Sequence, residues 1–369
     1  MADAPAITVV LPCRNEAARI KRCVQSLLAQ QNPPGGYEIV AVDGQSTDGT
    51  RDILQGLSSA DYRLRVLENP AKITPCGMNC GIRAARGAWI AIMGAHNRYA
   101  PDYLAKCLEV AQTTGADNVG GAMFTEAERA VQQAVAAAHH SPFSVGGARW
   151  HNPTYEGPAD TVFGGFYRKD VFDRIGLFDE ELVRDQDDEL NLRLVRAGGR
   201  IWQSPGIRSW YCPRGSFSAV FSQYAQYGYW KVRVIQKHHL PASWRHLVPG
   251  IFVFLFLTLP LSAGLLYLTG CCYRILWQQS PVNLAGGLMF TLWLCLASAY
   301  SLGLLGASVL SSWPHRWKLL PILPIVFACY HFGYGYGFLR GLLDFVIRRK
   351  QANPRFQLST RSEPSTRRA

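Results

Sequence analysis

A chain of 369 residues, 48% hydrophobic and 17% charged, suits one globular domain of roughly 200–250 residues joined to something more apolar. The formal net charge is +12, yet no stacking or groove-reading motif accompanies the basic residues, which argues against nucleic acid as a partner. The ten cysteines show no paired C-x-x-C spacing and read as reduced, small apolar residues.

Residues 1–6 lack a basic region followed by an apolar one, so no secretory signal is expected and the first domain should stay in the cytosol. Residues 6–95 then predict alternating strands and helices. AITVVLPC (6–13) is β-branched and apolar, and residues 15–30 place Ile20, Val24, Leu27 and Leu28 at helical spacing. After the Pro33-Pro34-Gly35-Gly36 turn come a strand at 37–42, a helix at 48–57, a strand at 64–67, a helix at 76–86 and a strand at 89–93. Near-continuous apolar strands joined by helices imply a parallel sheet covered on both faces. Ligands in such sheets bind at the carboxyl ends of the strands, which puts residues 12–16, 43–48 and 94–98 along one edge.

Further on, residues 216–240 repeat Phe217, Phe221, Tyr224, Tyr227, Lys231 and Val234 at three and four. Aromatics interleaved with Lys231, Arg233 and Lys237 suit a helix lying in a membrane interface; the alternative is a helix packed on the soluble domain. Residues 247–273 and 275–314 carry no charge, and 319–339 carry only His331. Each run reaches the roughly 20 residues that span a bilayer. The tail, 348–369, holds seven Lys or Arg against one Glu, as expected of a segment on anionic head groups. The expected organisation is therefore a catalytic domain at 1–215, an interface helix at 216–246, a membrane domain with about three hydrophobic segments at 247–347, and a basic tail. The tail's charge argues for the cytosolic side and an even number of crossings. The broken last segment, with Pro321, Pro324, Gly333, Gly335 and Gly337, is the one expected not to cross.

Asp43 ends a buried strand, where a carboxylate can accept hydrogen bonds from a nucleotide base or ribose. DGQSTDGT (43–50) then turns into a helix N-terminus, a place that favours anions. A capped turn explains the same letters. Taken as an ordered set, LPCRNEAARI (11–20), IVAVDGQSTDGT (39–50), NCGIRAARGAWI (79–90), FYRKDVFDRIGLFDEEL (166–182) and DDELNLRL (187–194) resemble the family 2 glycosyltransferases with a GT-A (Rossmann-like) fold. QYAQYGYW (223–230) and HFGYGYGF (331–338) bring the chain near the succinoglycan-type glucosyltransferases of exopolysaccharide assembly.

The resemblance implies transfer from a nucleotide diphosphate sugar, a UDP-sugar being favoured, with inversion at the anomeric carbon. Pro12, Asn15, Glu16 and Asp43 would line the nucleotide site, although a second Asp expected after Asp43 is Gly44. An Asp-x-Asp metal motif is expected after the fourth strand, and the chain has Gly94-Ala95-His96 there. His96 would hold manganese or magnesium through a neutral ring nitrogen. The alternatives are a metal-independent site, with His96 or Arg98 near the phosphates, and a purely structural histidine. Inversion needs a general base. The resemblance points to Asp187, with Asp188 second, in a pair that reads Gln186-Asp187 instead of Glu-Asp; adjacent carboxylates raise each other's pKa, which suits a base. Gln223, Tyr227 and Trp230 stand where processive synthases carry Gln-x-x-Arg-Trp, and would serve an acceptor site or anchor the interface. The missing Arg-Trp favours addition of one sugar to a lipid-linked (polyprenyl-diphosphate) saccharide at the bacterial inner membrane. A processive synthase, which would need oligomerisation to build a channel, and a catalytically inactive sugar-nucleotide scaffold are the rival expectations.

Overall fold

The computed structural model describes residues 4–146, 149–239, 243–277, 281–315 and 317–357; the tail beyond 357, with three of its Arg residues and its Glu, lies outside them. The chain forms two compact units. One comprises residues up to 127 and 147–213, the other 128–146 and the chain from 214 to the tail.

The first unit opens with the expected alternation: β1 (Ile7–Cys13), α1 (Ala17–Leu28), β2 (Tyr37–Asp43), α2 (Thr50–Ala60), β3 (Leu64–Glu68), α3 (Thr74–Ala84) and β4 (Trp89–Ile92). All adjacent pairs among these four strands are parallel, with Cys13 beside Asp43 and Asp43 beside Glu68. β1 and β2 are buried on both faces. Val9, Leu11 and Ile39 meet Ile20, Val24 and Leu27 of α1, while Val10, Ile90 and Ile92 meet Met78 and Ile82 of α3. Each such side chain contributes roughly 1.5–3 kcal/mol by leaving water. This two-sided burial is why the strands read as continuous apolar runs.

The unit continues with β5 (Asn97–Tyr99), α4 (Tyr103–Thr114), β6 (Asn118–Gly121) and β7 (Met123–Thr125). Beyond the excursion described below come β8 (Gly157–Pro158), β9 (Phe163–Arg168), α7 (Val171–Ile175), α8 (Gln186–Arg196), β10 (Ile201–Gln203) and β11 (Ser209–Tyr211). The large sheet runs β3-β2-β1-β4-β9-β6-β10-β8, and β5-β11-β7 form a small one. The run of parallel neighbours is interrupted after β4 and resumes only where β10 pairs with β6. β9 lies antiparallel between β4 and β6, so the whole sheet is mixed.

Glu38 of β2 is buried in this sheet. Its carboxylate accepts from Thr8 Oγ1 at 2.8 Å and from the backbone and Nε of Arg86 at 3.0 and 2.9 Å, and lies 3.1 Å from Arg65. Burial pushes its pKa up, but these hydrogen bonds, led by the Arg86 side chain, bring it below the usual carboxylate value.

In the second unit, α5 (Ala130–His139) and α6 (Pro142–Val145) come from the middle of the chain; α9 (Phe217–His238), α10 (Val248–Trp277), α11 (Pro281–Ser312), α12 (Leu323–Gly341) and the short α13 (Pro354–Gln357) come from its end. Two segments, Trp244–Thr269 and Leu284–His315, are long and apolar enough to cross a membrane by length and composition. They leave Leu261, Leu265, Leu268, Leu302 and Leu310 well exposed, an arrangement water disfavours and lipid accommodates. The third apolar run becomes α12, which is packed inside the unit.

Glycines explain that packing. A Cβ at Gly337 would stand 1.9 Å from the Ala225 carbonyl oxygen of α9, and one at Gly228 would stand 2.0 Å from the Tyr334 carbonyl oxygen. Gly333 and Gly341, one turn either side of Gly337, face the Phe221 and Tyr229 carbonyls at 2.9 and 2.7 Å in the same sense. Two helix backbones in direct contact leave no room for a side chain. Accordingly the buried face of α9 includes Val220, Ala225, Gly228, Tyr229 and Val232; of the expected stripe Lys231 and Val234 are buried with them, while Phe217, Phe221, Tyr224 and Tyr227 are half-buried. His331 ties three elements: Nε2 lies 2.9 Å from the Phe143 carbonyl of α6 and Nδ1 lies 3.2 Å from the Tyr300 hydroxyl of α11. The α5 residues Ala134, Val135 and Ala138 share a core with Val220, Leu323, Val326 and Tyr330.

The chain ends its described course by strapping α9. Phe356 is buried, its ring stacked on Tyr229 at 4.1 Å, and its carbonyl accepts from Trp230 Nε1 at 3.0 Å. The Asn353 amide donates to the Tyr229 hydroxyl at 2.9 Å.

Candidate active site

The turns after β1 and β2 are stitched to each other. Asn15, in left-handed backbone at φ +53°, donates its amide to Ser46 Oγ at 2.9 Å and accepts from the Thr47 amide through Oδ1 at 2.9 Å. The Glu16 amide donates to Thr50 Oγ1 at 2.8 Å and the Ala17 amide to Asp48 Oδ2 at 3.0 Å. Asp43 is almost fully buried, and its two oxygens accept from the Ser46 hydroxyl and amide at 2.5 and 3.2 Å. A carboxylate oxygen has two lone-pair sites, so these bonds leave Asp43 capacity for a ligand. Pro12 closes the same edge from the end of β1. For Asp48, burial is outweighed by hydrogen bonds from Thr50 and the Ala17 amide, and its pKa falls. Burial, reinforced by the charges of Asp43 and Glu16, pushes the Cys13 thiol up; burial takes Cys23 to about 12, so both thiols stay protonated.

At the end of β4 the chain turns through Gly94-Ala95-His96 into β5. The turn is held by Tyr99, whose hydroxyl accepts the Gly94 amide at 2.8 Å and donates to the Gly94 carbonyl at 3.2 Å. His96 Nδ1 stands 3.4 Å from Glu16 Oε1, and its ring meets Tyr211 of β11 edge-on at 5.7 Å. The space where the resemblance expects a first carboxylate is taken. A Cβ at Gly94 would lie 2.9 Å from Asn97 Nδ2, because the buried Asn97 carboxamide fills that corner. Asn97 was invisible as a site residue in the sequence, since only the fold shows it back-filling the missing side chain. Arg98, the other cation of this turn, is bound to Glu126 and stands over the Trp210 ring at 3.8 Å, so its guanidinium is already engaged.

The candidate base lies at the start of α8. Asp185 before it adopts left-handed backbone at φ +60° and is buried. Asp187 is exposed, and its Oδ1 accepts the Asp188 amide at 3.0 Å; Asp188 is half-buried. Gln186 keeps Oε1 buried with no hydrogen-bond partner among the described residues. One turn into the helix, a buried polar network anchors it to the sheet. Asn191 Oδ1 accepts from Asn118 Nδ2 at 3.0 Å and from the Tyr167 hydroxyl at 3.1 Å, and Asn191 Nδ2 donates to Thr161 Oγ1 at 2.9 Å. Burial first, and then the Asp187 charge, push the Tyr167 pKa far above its ordinary value, so its hydroxyl remains a donor. Asn191 and Tyr167 were also missed from sequence, where they read as ordinary helix and strand residues.

Of the acceptor candidates, Gln223 and Tyr227 bond to each other at 2.9 Å on a half-buried face of α9. Trp230 is enclosed, with its indole N–H given to Phe356.

A sequence model for "Glycosyl transferase family 2" matches residues 8–176. The succinoglycan biosynthesis protein ExoA of Rhizobium meliloti is 32% identical over 243 residues, 65% of this chain and 73% of that protein. The chain belongs to glycosyltransferase family 2. It is a sugar transferase of the EC 2.4 class. A second relative is the dolichyl N-acetyl-alpha-D-glucosaminyl phosphate 3-beta-D-2,3-diacetamido-2,3-dideoxy-beta-D-glucuronosyltransferase of Methanococcus voltae. It is 26% identical over 305 residues, 79% of this chain and 94% of that protein. Among solved structures, the mannosyltransferase PcManGT from Pyrobaculum calidifontis, in complex with GDP-Man and Mn2+, superposes with a TM-score of 0.53 at 17% identity, covering 91% of this chain and 88% of that one. That likeness identifies the GT-A fold.

For a metal, this glycosyltransferase offers a restricted donor set. Among the described residues no group of three or more His, Cys, Asp and Glu side chains is arranged to hold an ion. His96 with Glu16 behind it fits one kind of site, in which substrate phosphate oxygens and water supply most of the ligands and the protein adds one or two.

Proposed function

We propose that this family 2 glycosyltransferase moves one sugar, with inversion, from a nucleoside diphosphate donor to a lipid-linked saccharide, in polysaccharide assembly at the cytosolic face of a bacterial inner membrane. The observation that carries the reading is the exposed Asp187 at the start of a helix clamped to the sheet by Asn191. The stitched turns of Asn15, Glu16 and Asp43, in the same unit, provide a rigid edge for the donor.

In this reaction Asp187 accepts the proton of the acceptor hydroxyl as its oxygen attacks the anomeric carbon. The bond from that carbon to the diphosphate oxygen breaks on the opposite face. Developing charge on the leaving diphosphate must be offset, and His96 is the residue of this edge that would hold a cation for that purpose. A divalent ion, manganese or magnesium, would be held by His96 and the diphosphate, and when bound it supplies Lewis acidity to the leaving group. Pro12 and Asp43 bound the nucleotide. The relatives' printed names, succinoglycan biosynthesis and a dolichyl-linked sugar phosphate acceptor, support a glycan acceptor carried on lipid.

The membrane arrangement belongs to the same proposal. α10 and α11 cross, and α12 does not. The strap by Phe356 supports this, because it returns the tail to α9, the helix that precedes the first crossing.

The function is tested by incubating membranes with a panel of labelled nucleotide sugars, UDP-sugars first. One donor should label an organic-extractable lipid, and that label should be lost with Asp187→Asn. Nucleotide binding with no transfer from any donor would support an inactive scaffold instead. For the arrangement, Ser362→Cys, in a background lacking the reactive native cysteines, should resist an impermeant thiol reagent in intact cells and react after permeabilisation. Labelling in intact cells would place the tail outside.

A further inference from the structure

Glu16 is 9% exposed, and its backbone is fixed from both directions. Its amide is held by Thr50, and its carbonyl accepts the amides of Arg19 and Ile20, both at 2.8 Å, at the start of α1. Its Cβ is therefore fixed in place, and a carboxylate withdrawn from water needs a hydrogen-bond donor. His96 Nδ1 is 3.4 Å away. When Nδ1 carries the proton and gives it to a carboxylate, the imidazole is confined to one tautomer and the lone pair is on Nε2. Tyr211 limits rotation of the same ring.

We infer that Glu16 is the positioning residue of His96. Its carboxylate fixes the ring so that Nε2 is the nitrogen presented to a divalent cation arriving with the nucleotide diphosphate. The inference rests on the reading of His96 given above, and it moves Glu16 from contact with the nucleotide to a place behind the histidine.

The pair also accounts for a histidine at a position where the resemblance expects aspartate. An aspartate needs no tautomer control and brings a negative charge to the metal. A neutral imidazole brings none and has two tautomers. An ionised Glu16 behind a neutral, single-tautomer His96 would present the cation with one formal negative charge relayed through a ring, as a carboxylate does directly.

The test is Mn2+ binding to the full-length, detergent-solubilised protein saturated with UDP, read from the electron paramagnetic resonance signal of free Mn2+, with no turnover involved. UDP affinity in chelator is measured in parallel, and thermal melting confirms that each variant is folded. His96→Ala should weaken Mn2+ binding at least 100-fold. Glu16→Gln, which keeps an acceptor but removes the charge, should weaken it about 10-fold, and Glu16→Ala about 100-fold, the range found for partners that orient a metal-bound histidine. UDP affinity in chelator should stay within about twofold of wild type for both Glu16 variants. If His96→Ala leaves Mn2+ affinity unchanged, His96 is not the ligand and the reading beneath the inference fails. If His96→Ala weakens Mn2+ but neither Glu16 variant does, the positioning role alone is overturned. Equal loss of UDP affinity in chelator would return Glu16 to the nucleotide and overturn it as well.

Discussion

The two units of this glycosyltransferase use their conspicuous residues in opposite ways. In the catalytic unit, Asn15, Glu16, Asp43 and Asp187 are set by hydrogen bonds that involve side chains at strand ends and at a helix start, and His96 stands beside Glu16. In the membrane unit, the HFGYGYGF segment works through what it lacks. Gly333, Gly337 and Gly341 let one helix backbone rest on another, and the histidine ties three helices through a carbonyl and a hydroxyl. Both sets of residues stand out in the sequence, yet the first is arranged by polar bonds at strand ends and the second by close contact. What separates them is the environment. Polar groups at the edge of a parallel sheet face a place where ligands bind, whereas close helix packing in an apolar unit is governed by van der Waals contact and the absence of Cβ atoms.

The sharpest way to break this contrast is at Gly337. Gly337→Leu would drive a side chain into the Ala225 carbonyl, where no flexible group can yield, so the membrane unit should not reach its native packing. The expected outcome is loss of monodisperse protein in detergent; a normal melting curve would show that the backbones have room to separate. Next in size is Asp187→Asn. Its turnover should fall by roughly 10²–10⁴-fold with donor affinity retained, as measured by single-turnover transfer beside nucleotide binding. Should Asp188→Asn collapse the rate instead, the base moves by one residue.

A smaller effect is expected at Glu38, the acid inside the catalytic unit. Its folded-state pKa is depressed, so its stabilising contribution is present above the unfolded value of about 4.3 and is lost as pH falls through the folded value. Glu38→Gln should cost about 2 kcal/mol at pH 7, and the gap from wild type should close below about pH 4 in thermal melts. A gap that persists at pH 3 would mean that packing, not ionisation, is what Glu38 provides. The smallest change concerns position 94. Gly94→Asp should lower Mn2+ affinity a few-fold because Asn97 stands in the way, and adding Asn97→Ala should recover it. Equal affinities in the single and double variants would show that the carboxamide yields freely.

Legibility followed the same division. The four parallel strands and their helices were readable, because two-sided burial writes apolar runs and helix faces directly into the sequence. β9 was not, since an antiparallel insertion between β4 and β6 depends on partners more than 40 residues away in the chain. The ordered motifs nominate Glu16, His96 and Asp187 as site residues. The Glu16–His96 contact, the back-filling by Asn97 and the Asn191 network were not legible, because each is a relation between residues from different elements. On α9, periodicity selected the aromatic stripe. That stripe is buried at Lys231 and Val234 but only half-buried at its four aromatics, because the closest approach to α12 runs along small residues that carry no hydrophobic signal.

Residues 128–146 hold a consequence for how the protein is made. α5 and α6 leave the ribosome in the middle of the catalytic unit, but the residues that cover Ala134, Val135 and Ala138, among them Leu319, Leu323 and Tyr330, are translated far later. At about 5–20 residues per second the delay is on the order of 10–40 s. Until then the apolar face of α5 has only part of its native cover, from residues such as Phe143 and Val220, although the catalytic sheet can already close once residues 147–213 have emerged. Assembly is thus ordered by a clock. The catalytic sheet can form first, with an unfinished loop held out, and the loop is completed only when the last hydrophobic helix arrives.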